Sequence, residues 1–211
     1  MIICCYAEIT HEWDEQEFTD KLVLLPASLQ QVVLRKKQWM DRQLSIGGKL
    51  LLLEALRQLG TESLLLDDLK YNSHHRPYFD AEIDFNIAHS GNIVVCCATN
   101  NGQTGIDIEQ IKPIDQADYT DYFTPNEWGI INGYPDRFEG FYDFWTRKEA
   151  VLKAIGTGFH TPLSSVDVSA DQIKYDGILY HIQPLDIAKG YKSHIAATME
   201  PGDVQVIKVD L

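Results

Sequence analysis

From Phe144 to Gly158 the chain reads FWTRKEAVLKAIGTG, and its apolar positions recur at helical spacing. At 100° per residue, Phe144, Val151 and Ile155 share one narrow stripe with Leu152 at its edge. Glu149 and Lys153, four positions apart, project together from the roughly opposite face. This pattern predicts a helix that packs through its stripe and presents a carboxylate and an ammonium. The Gly156-Thr157-Gly158 turn is expected to end it. A second stretch, Gly105-Ile106-Asp107-Ile108-Glu109, alternates with a period of two. It predicts a strand with Ile106 and Ile108 on one face and Asp107 and Glu109 on the other.

The rest of the pattern completes an α+β fold. Residues 2–9 read as a strand, and Leu29 to Leu59 as one long helix or two abutting ones, ended by Gly60. Gly47-Gly48 inside that helix calls for a close backbone contact, because each glycine costs about 1 kcal/mol against alanine. Leu64–Leu66 suggests a short strand or turn. Asn92–Thr99 predicts a buried strand, and Asn100-Asn101-Gly102 a hairpin turn into Gln103–Glu109. Lys112–Tyr122 is linker-like. Thr124, Pro125 and Glu127 then form the sequence signature of a capping box. Residues 163–168, 172–175, 178–182, 194–198 and 204–209 read as short antiparallel strands.

Composition narrows the function. With 211 residues, 45% of them hydrophobic, the chain can bury one sizeable core or two small ones. No apolar run approaches 18 residues, and the N-terminal MIICCYAEIT lacks the marks of a signal peptide, so no membrane span or secretion is expected. Cys4-Cys5 and Cys96-Cys97 have no metal-site spacing, which suits buried reduced thiols and a cytoplasmic setting. A formal net charge of −13 argues against nucleic acid or an anionic membrane as partner. Any polyanionic ligand must then be met by local cations, and Arg35-Lys36-Lys37 is the densest basic cluster.

Asp107, Glu109, Glu149 and Lys153 make a usable constellation. Oxygen-only ligands suit a hard cation such as Mg²⁺, and a lysine beside it suits a phosphate. The plainer reading of Glu149 and Lys153 alone is a surface pair worth about 0.3–0.5 kcal/mol. Two acidic residues on one strand face weaken it, because they repel unless a cation or basic partner intervenes.

GIDIE followed by W-T-x-K-E-A-x-x-K resembles the 4′-phosphopantetheinyl transferases, specifically the larger, two-lobed Sfp type. The resemblance implies Asp107, Glu109 and Glu149 as Mg²⁺ ligands and Lys153 as the contact to the coenzyme A pyrophosphate. Arg76-Pro77-Tyr78 looks like the family's basic-Pro-Tyr loop at the nucleotide end of coenzyme A, with His75 where glycine is usual. Phe85-Asn86-Ile87-Ala88-His89-Ser90 is similar to the family's F-N-I-S-H-S, which implies coenzyme contacts for His89 and Ser90. The family also carries an N-terminal arginine toward coenzyme A, for which Arg42 and Arg35 are candidates. Its F-x-x-x-E glutamate would be Glu127, which capping explains about as well.

By resemblance the fold is two similar lobes related by a pseudo-twofold, each a small antiparallel sheet packed with helices. The lobes are 1–101, holding the nucleotide end and His89, and 102–211, holding the metal site, with the ligand in the cleft between. The implied activity moves phosphopantetheine from coenzyme A to a serine of an apo acyl or peptidyl carrier protein, through Glu149, Lys153 and His89. A monomer is expected. The alternatives are a non-catalytic nucleotide- or carrier-binding module and a Mg²⁺-dependent phosphohydrolase. The residues Lys112-Pro113-Ile114, Phe123, Trp128 and Ile130-Ile131 offer either a carrier-docking surface or core filling.

Overall fold

The computed structural model describes residues 1–61, 63–156, 161–200, 202 and 204–211. The first half runs β1 (Ile2–Glu8), α1 (Glu15–Leu22), α2 (Ala27–Leu34), α3 (Trp39–Gln58), a short hairpin of β2 (Lys70–Tyr71) and β3 (Pro77–Tyr78), β4 (Asp84–Ser90) and β5 (Ile93–Thr99). The second runs β6 (Thr104–Gln110), α4 (Pro125–Ile131), α5 (Arg137–Ile155), β7 (Gln172–Tyr175), β8 (Ile178–Pro184), β9 (Tyr191–Ala197) and β10 (Val204–Lys208). Two four-stranded sheets result, in the orders β10-β1-β5-β4 and β6-β9-β8-β7.

Each sheet carries one long helix. The outer face of the first sheet packs on α3 through Leu44, Leu51, Leu52, Val94 and Cys96. Gly47 and Gly48 make that approach possible: a Cβ on Gly48 would stand 2.8 Å from Ile87 Cγ2, and one on Gly47 would stand 2.9 Å from Leu211 Cδ1. The second sheet packs on α5 through Phe144, Val151, Ala154 and Ile182. Between the sheets lies a shared core of Ile93, Val95, Cys97, Ile106, Ile108 and Ile195. The four cysteines are free and buried.

Helix α5 packs on β6 so closely that Gly105 cannot carry a side chain. A Cβ there would meet the Ala150 carbonyl oxygen and the Ala154 nitrogen, both backbone atoms that cannot swing away. Gly105→Ala is therefore expected to cost about 3 kcal/mol by overpacking, read from the denaturant midpoint. A loss below about 0.5 kcal/mol would mean that the helix can lift off the strand.

Of the two forms expected for Leu29–Leu59, the structure has two helices, with residues 35–38 between them. Of the strand or turn expected at Leu64–Leu66, it has the turn: Leu66–Asp68 is 3₁₀-helical. Other expectations change. Gln116–Tyr122, within the linker-like stretch, is 3₁₀-helical. Leu163–Ser165 is a 3₁₀ turn where a strand was expected. The turn at Asn100–Gly102 joins no hairpin, because β5 already has β1 and β4 on its two edges. The chain must leave the first sheet, and β6 starts the second. The strand expected at 204–209 also differs: β10 returns to the first sheet and runs parallel to β1, pairing Ile2 with Val204 and Tyr6 with Lys208. It thus crosses the expected lobe division at 101/102. Gly156 ends α5 with φ of 78°, whereas Thr157 and Gly158 lie outside the described residues.

Candidate active site

The site forms where the two sheets meet edge to edge. Strand β4 ends the first sheet and β6 ends the second, so each has an edge without a ladder partner among the described residues. Side chains of β4 fill the gap. Asp84 Oδ2 accepts from Thr104 N at 2.7 Å, Asn86 Oδ1 from Ile106 N at 3.3 Å, and Ser90 Oγ from Gln110 N at 3.1 Å. Each acceptor lies 20 residues before its donor, so the two strands run parallel along this seam. Helix α5 closes it from the second half.

The seam brings the expected residues together. His89 from β4, Asp107 and Glu109 from β6, and Glu149 and Lys153 from α5 line one cavity of about 330 Å³. Trp145 lines it too. The sequence reading missed this residue, although it stands four positions before Glu149 on the same helical stripe. A second cavity of about 260 Å³ shares Glu149 and Lys153 and continues past Asn86 and Leu152 to His74, His75, Arg76 and Pro77. His75 has φ of 59°, so the loop keeps a glycine-like left-handed turn with a histidine in place.

Charge inside the cleft is organised around Asp107, which is 5% exposed. Lys153 Nζ donates to Asp107 Oδ1 at 2.6 Å and to the Ile106 carbonyl at 3.2 Å. Burial pushes the Asp107 carboxyl up to about 7, against the pull of Lys153 and with help from Glu109 and Glu149. Burial also raises Glu149 above the usual carboxylate range, opposed by Lys153 and aided by Glu109. Ser90 Oγ donates to Glu109 Oε2 at 2.5 Å, so its hydroxyl is directed at β6. His89 reaches solvent, yet partial desolvation and then the nearby ammonium of Lys36 lower its pKa, with Lys153 and Lys49 adding to the effect and Asp41 opposing it. Lys36 comes from the basic cluster noted in the sequence; Lys49, on α3, was missed. Arg42 faces a different cavity, with Trp13, Trp39 and Gln43, and donates to the Lys36 carbonyl at 2.8 Å.

Among the described residues, no three His, Cys, Asp or Glu side chains already stand in an array that would hold a metal ion. The donor chemistry still fits a hard cation. Asp107 Oδ2 is buried without a hydrogen-bond partner among the described residues, and the carboxylates of Glu109 and Glu149 act on it. An orphaned carboxylate oxygen beside two further carboxylates is what such a cation would satisfy.

Glu127 belongs to the framework. Its carboxylate accepts from Thr124 N at 2.7 Å and Val168 N at 2.9 Å, and its partner is Lys148. Phe123 and Ile131 are buried in the core beneath α5, which removes them from the candidate docking surface. Ile130 remains exposed.

The fold and cleft define a class: an α+β protein with a carboxylate-and-lysine site at the seam of two sheets, suited to a phosphate-bearing ligand. Comparison with known proteins gives the family. Residues 103–198 match the family model of the 4′-phosphopantetheinyl transferase superfamily. The 4′-phosphopantetheinyl transferase gsp of Aneurinibacillus migulanus is 32% identical over 177 residues, which cover 82% of this chain and 73% of that protein. A 4′-phosphopantetheinyl transferase of Bacillus subtilis is 39% identical over 108 residues, 48% of this chain and 46% of its own length. The transferase Sfp of Bacillus subtilis strain 168 is 29% identical over 137 residues, 60% of this chain and 61% of its own. The chain belongs to the 4′-phosphopantetheinyl transferase superfamily.

Proposed function

We propose that this protein transfers the 4′-phosphopantetheine arm of coenzyme A to a serine hydroxyl of an apo carrier protein, releasing 3′,5′-ADP. The observation that carries the reading is the convergence of His89, Asp107, Glu109, Glu149 and Lys153 on one cavity. The serine oxygen forms a bond to the β-phosphorus while the bond from that phosphorus to the bridging oxygen breaks. The leaving oxygen stays with 3′,5′-ADP. Glu149, raised by burial, takes the serine proton. Lys153 and His89 stabilise charge on the pyrophosphate. Asp107, Glu109 and Glu149 would hold Mg²⁺, which when bound supplies neutralisation of that same charge. Arg76, Pro77 and Ser90 border the coenzyme's path. Lys36 and Lys49 supply local positive charge in a chain of net charge −13.

In the same reading the two sheets with their helices are pseudo-twofold-related lobes, 1–101 and 102–211, and β10 alone crosses back. The enzyme works as a monomer in the cytoplasm, a setting in keeping with four buried free thiols. Among the described residues no helix is long and apolar enough to cross a membrane.

Incubation with coenzyme A, Mg²⁺ and an apo-carrier tests the proposal. A carrier mass gain of one phosphopantetheine supports it; phosphate or ADP release without that gain makes the protein a hydrolase. No change in either component makes it a binding module. Lys153→Ala is expected to lower kcat about 100-fold while changing the coenzyme A Kd less than about fivefold, because the ammonium acts on charge that grows during transfer. Normal turnover with only a raised KM would reduce Lys153 to a binding contact.

A further inference from the structure

We propose that Arg76 is a positioning residue that ties the loop before β3 to the end of α5 and so holds Lys153 in place, rather than a contact to the coenzyme. The inference rests on the transfer reading for its functional part. Its structural part rests on where the guanidinium points.

Arg76 Nη2 donates to both carboxylate oxygens of Asp84, at 3.0 and 2.8 Å, and lies 3.1 Å from the Thr104 carbonyl. Nη1 donates to the Ala154 carbonyl at 3.2 Å. Three segments distant in sequence therefore end on one side chain: β4, the start of β6 and the last turn of α5. Asp84 closes the loop by accepting from Thr104 N. The Arg76 side chain is 14% exposed and that of Asp84 21%. A Cβ on Gly156 would stand 2.5 Å from Nη1, so the left-handed glycine that ends α5 leaves room only for the guanidinium.

The chemistry favours this use of an arginine. Its planar fork suits a carboxylate, and its charge suits a helix C-terminus with free carbonyls. A phosphate would have to displace Asp84 and two carbonyls to reach the same hydrogens. Ala154 directly follows Lys153, whose Nζ stands 2.6 Å from Asp107 Oδ1. Holding the Ala154 carbonyl fixes the turn from which Lys153 reaches across. The basic residue before Pro77 thus acts on the reaction through α5.

The two roles predict opposite signs for Asp84→Asn. If Arg76 is a strut, the substitution loosens it. If Arg76 is a coenzyme contact, the substitution frees the guanidinium for the ligand. The test compares wild type, Arg76→Met, Arg76→Lys, Asp84→Asn and the double variant Arg76→Met/Asp84→Asn. It measures Tm, coenzyme A Kd by calorimetry, and kcat and KM with an apo-carrier. The strut predicts that Arg76→Met and Asp84→Asn each lower kcat about tenfold and raise Kd less than threefold. The double variant should be no worse than Arg76→Met in Tm and kcat, because both changes break one network and Asp84→Asn removes the charge that Arg76→Met leaves unpaired. Arg76→Lys should recover part of the loss.

A rise in Kd of tenfold or more for Arg76→Met at unchanged Tm, with tighter coenzyme A binding by Asp84→Asn, overturns the proposal. Additive Tm losses in the double variant overturn it too. If Arg76→Met does not fold, the same comparison between Arg76→Lys and Asp84→Asn decides. A wild type that binds no coenzyme A would sink the transfer reading, and the Tm comparison would still judge the strut.

Discussion

His194→Gln is expected to change the slope of folding stability against pH by about 1.4 kcal/mol per unit between about pH 6 and 4. His194 is 1% exposed on β9. Thr146 Oγ1 donates to the Tyr142 carbonyl at 2.8 Å, so it accepts from His194 Nδ1 at 2.8 Å. A neutral ring protonated at Nδ1 satisfies this pair, and Nε2 is left buried without a hydrogen-bond partner among the described residues. Burial, then Arg147 and Lys192, lower the His194 pKa to about 3, with Asp171 opposing. Below its ordinary value near 6.5 the unfolded chain takes a proton that the folded chain refuses. Stability from this residue is present above that pH and lost as pH falls toward 3, by about 5 kcal/mol in all.

Asp107, the cross-strand partner of His194, has the reverse linkage. Its folded pKa is raised to about 7, so the unfolded chain loses its proton first and stability falls as pH rises from about 4 to 7. The two slopes oppose each other, and wild-type stability should be nearly flat between about pH 4 and 6.5. His194→Gln uncovers the Asp107 slope, and the variant should gain stability as pH falls from 7 to 4. Denaturant unfolding without divalent ions measures both. Parallel profiles for the two proteins would rule out a buried neutral imidazole.

Lys148→Met should cost about 3–5 kcal/mol by the same measurement. Lys148 and Glu127 are each 0% exposed. The ammonium donates to Glu127 at 2.9 Å, to the Leu163 carbonyl at 3.0 Å and to the Val166 carbonyl at 2.5 Å, which uses all three of its hydrogens. Removing it leaves the buried Glu127 carboxylate without its counter-charge and the Val166 carbonyl without the ammonium, while the Leu163 carbonyl keeps the Val166 N–H. Adding Glu127→Gln should recover part of the loss, because the amide oxygen still accepts from Thr124 N and Val168 N while the charge is gone. A Lys148→Met penalty under about 1 kcal/mol would show that the pair contributes little. Glu127 and Lys148 therefore brace α4 and the 163–168 segment behind α5, directly next to Glu149.

Periodicity made α5 and β6 legible, because each pattern needs only neighbours in sequence. Spacing also gave the shared faces of Asp107 with Glu109 and of Glu149 with Lys153, whereas His89 was tied to them only by the family resemblance of its motif. Partners remote in sequence were not legible. Lys148 reads as an ordinary helix lysine until Glu127 and the 163–166 carbonyls are seen around it. Arg76 gives no hint in the sequence of the Asp84 carboxylate and the Ala154 carbonyl that its guanidinium bonds. Asn100-Asn101-Gly102 carries the right chemistry for a tight turn, but turn chemistry does not say whether the strand before it has a free edge. His194 gave no local signal, since its environment comes from α5, 48 residues away.

The return of β10 to β1 bears on how the chain comes off the ribosome. Strand β1 emerges well before its partner, and one of its edges waits for Val204–Lys208, about 200 residues later. Through that interval an apolar strand with Ile2, Ile3, Cys4 and Cys5 presents an open edge to other nascent chains. Vectorial synthesis therefore cannot finish the first sheet before the second has been made, and a ribosome that stalls short of residue 204 leaves a sticky product.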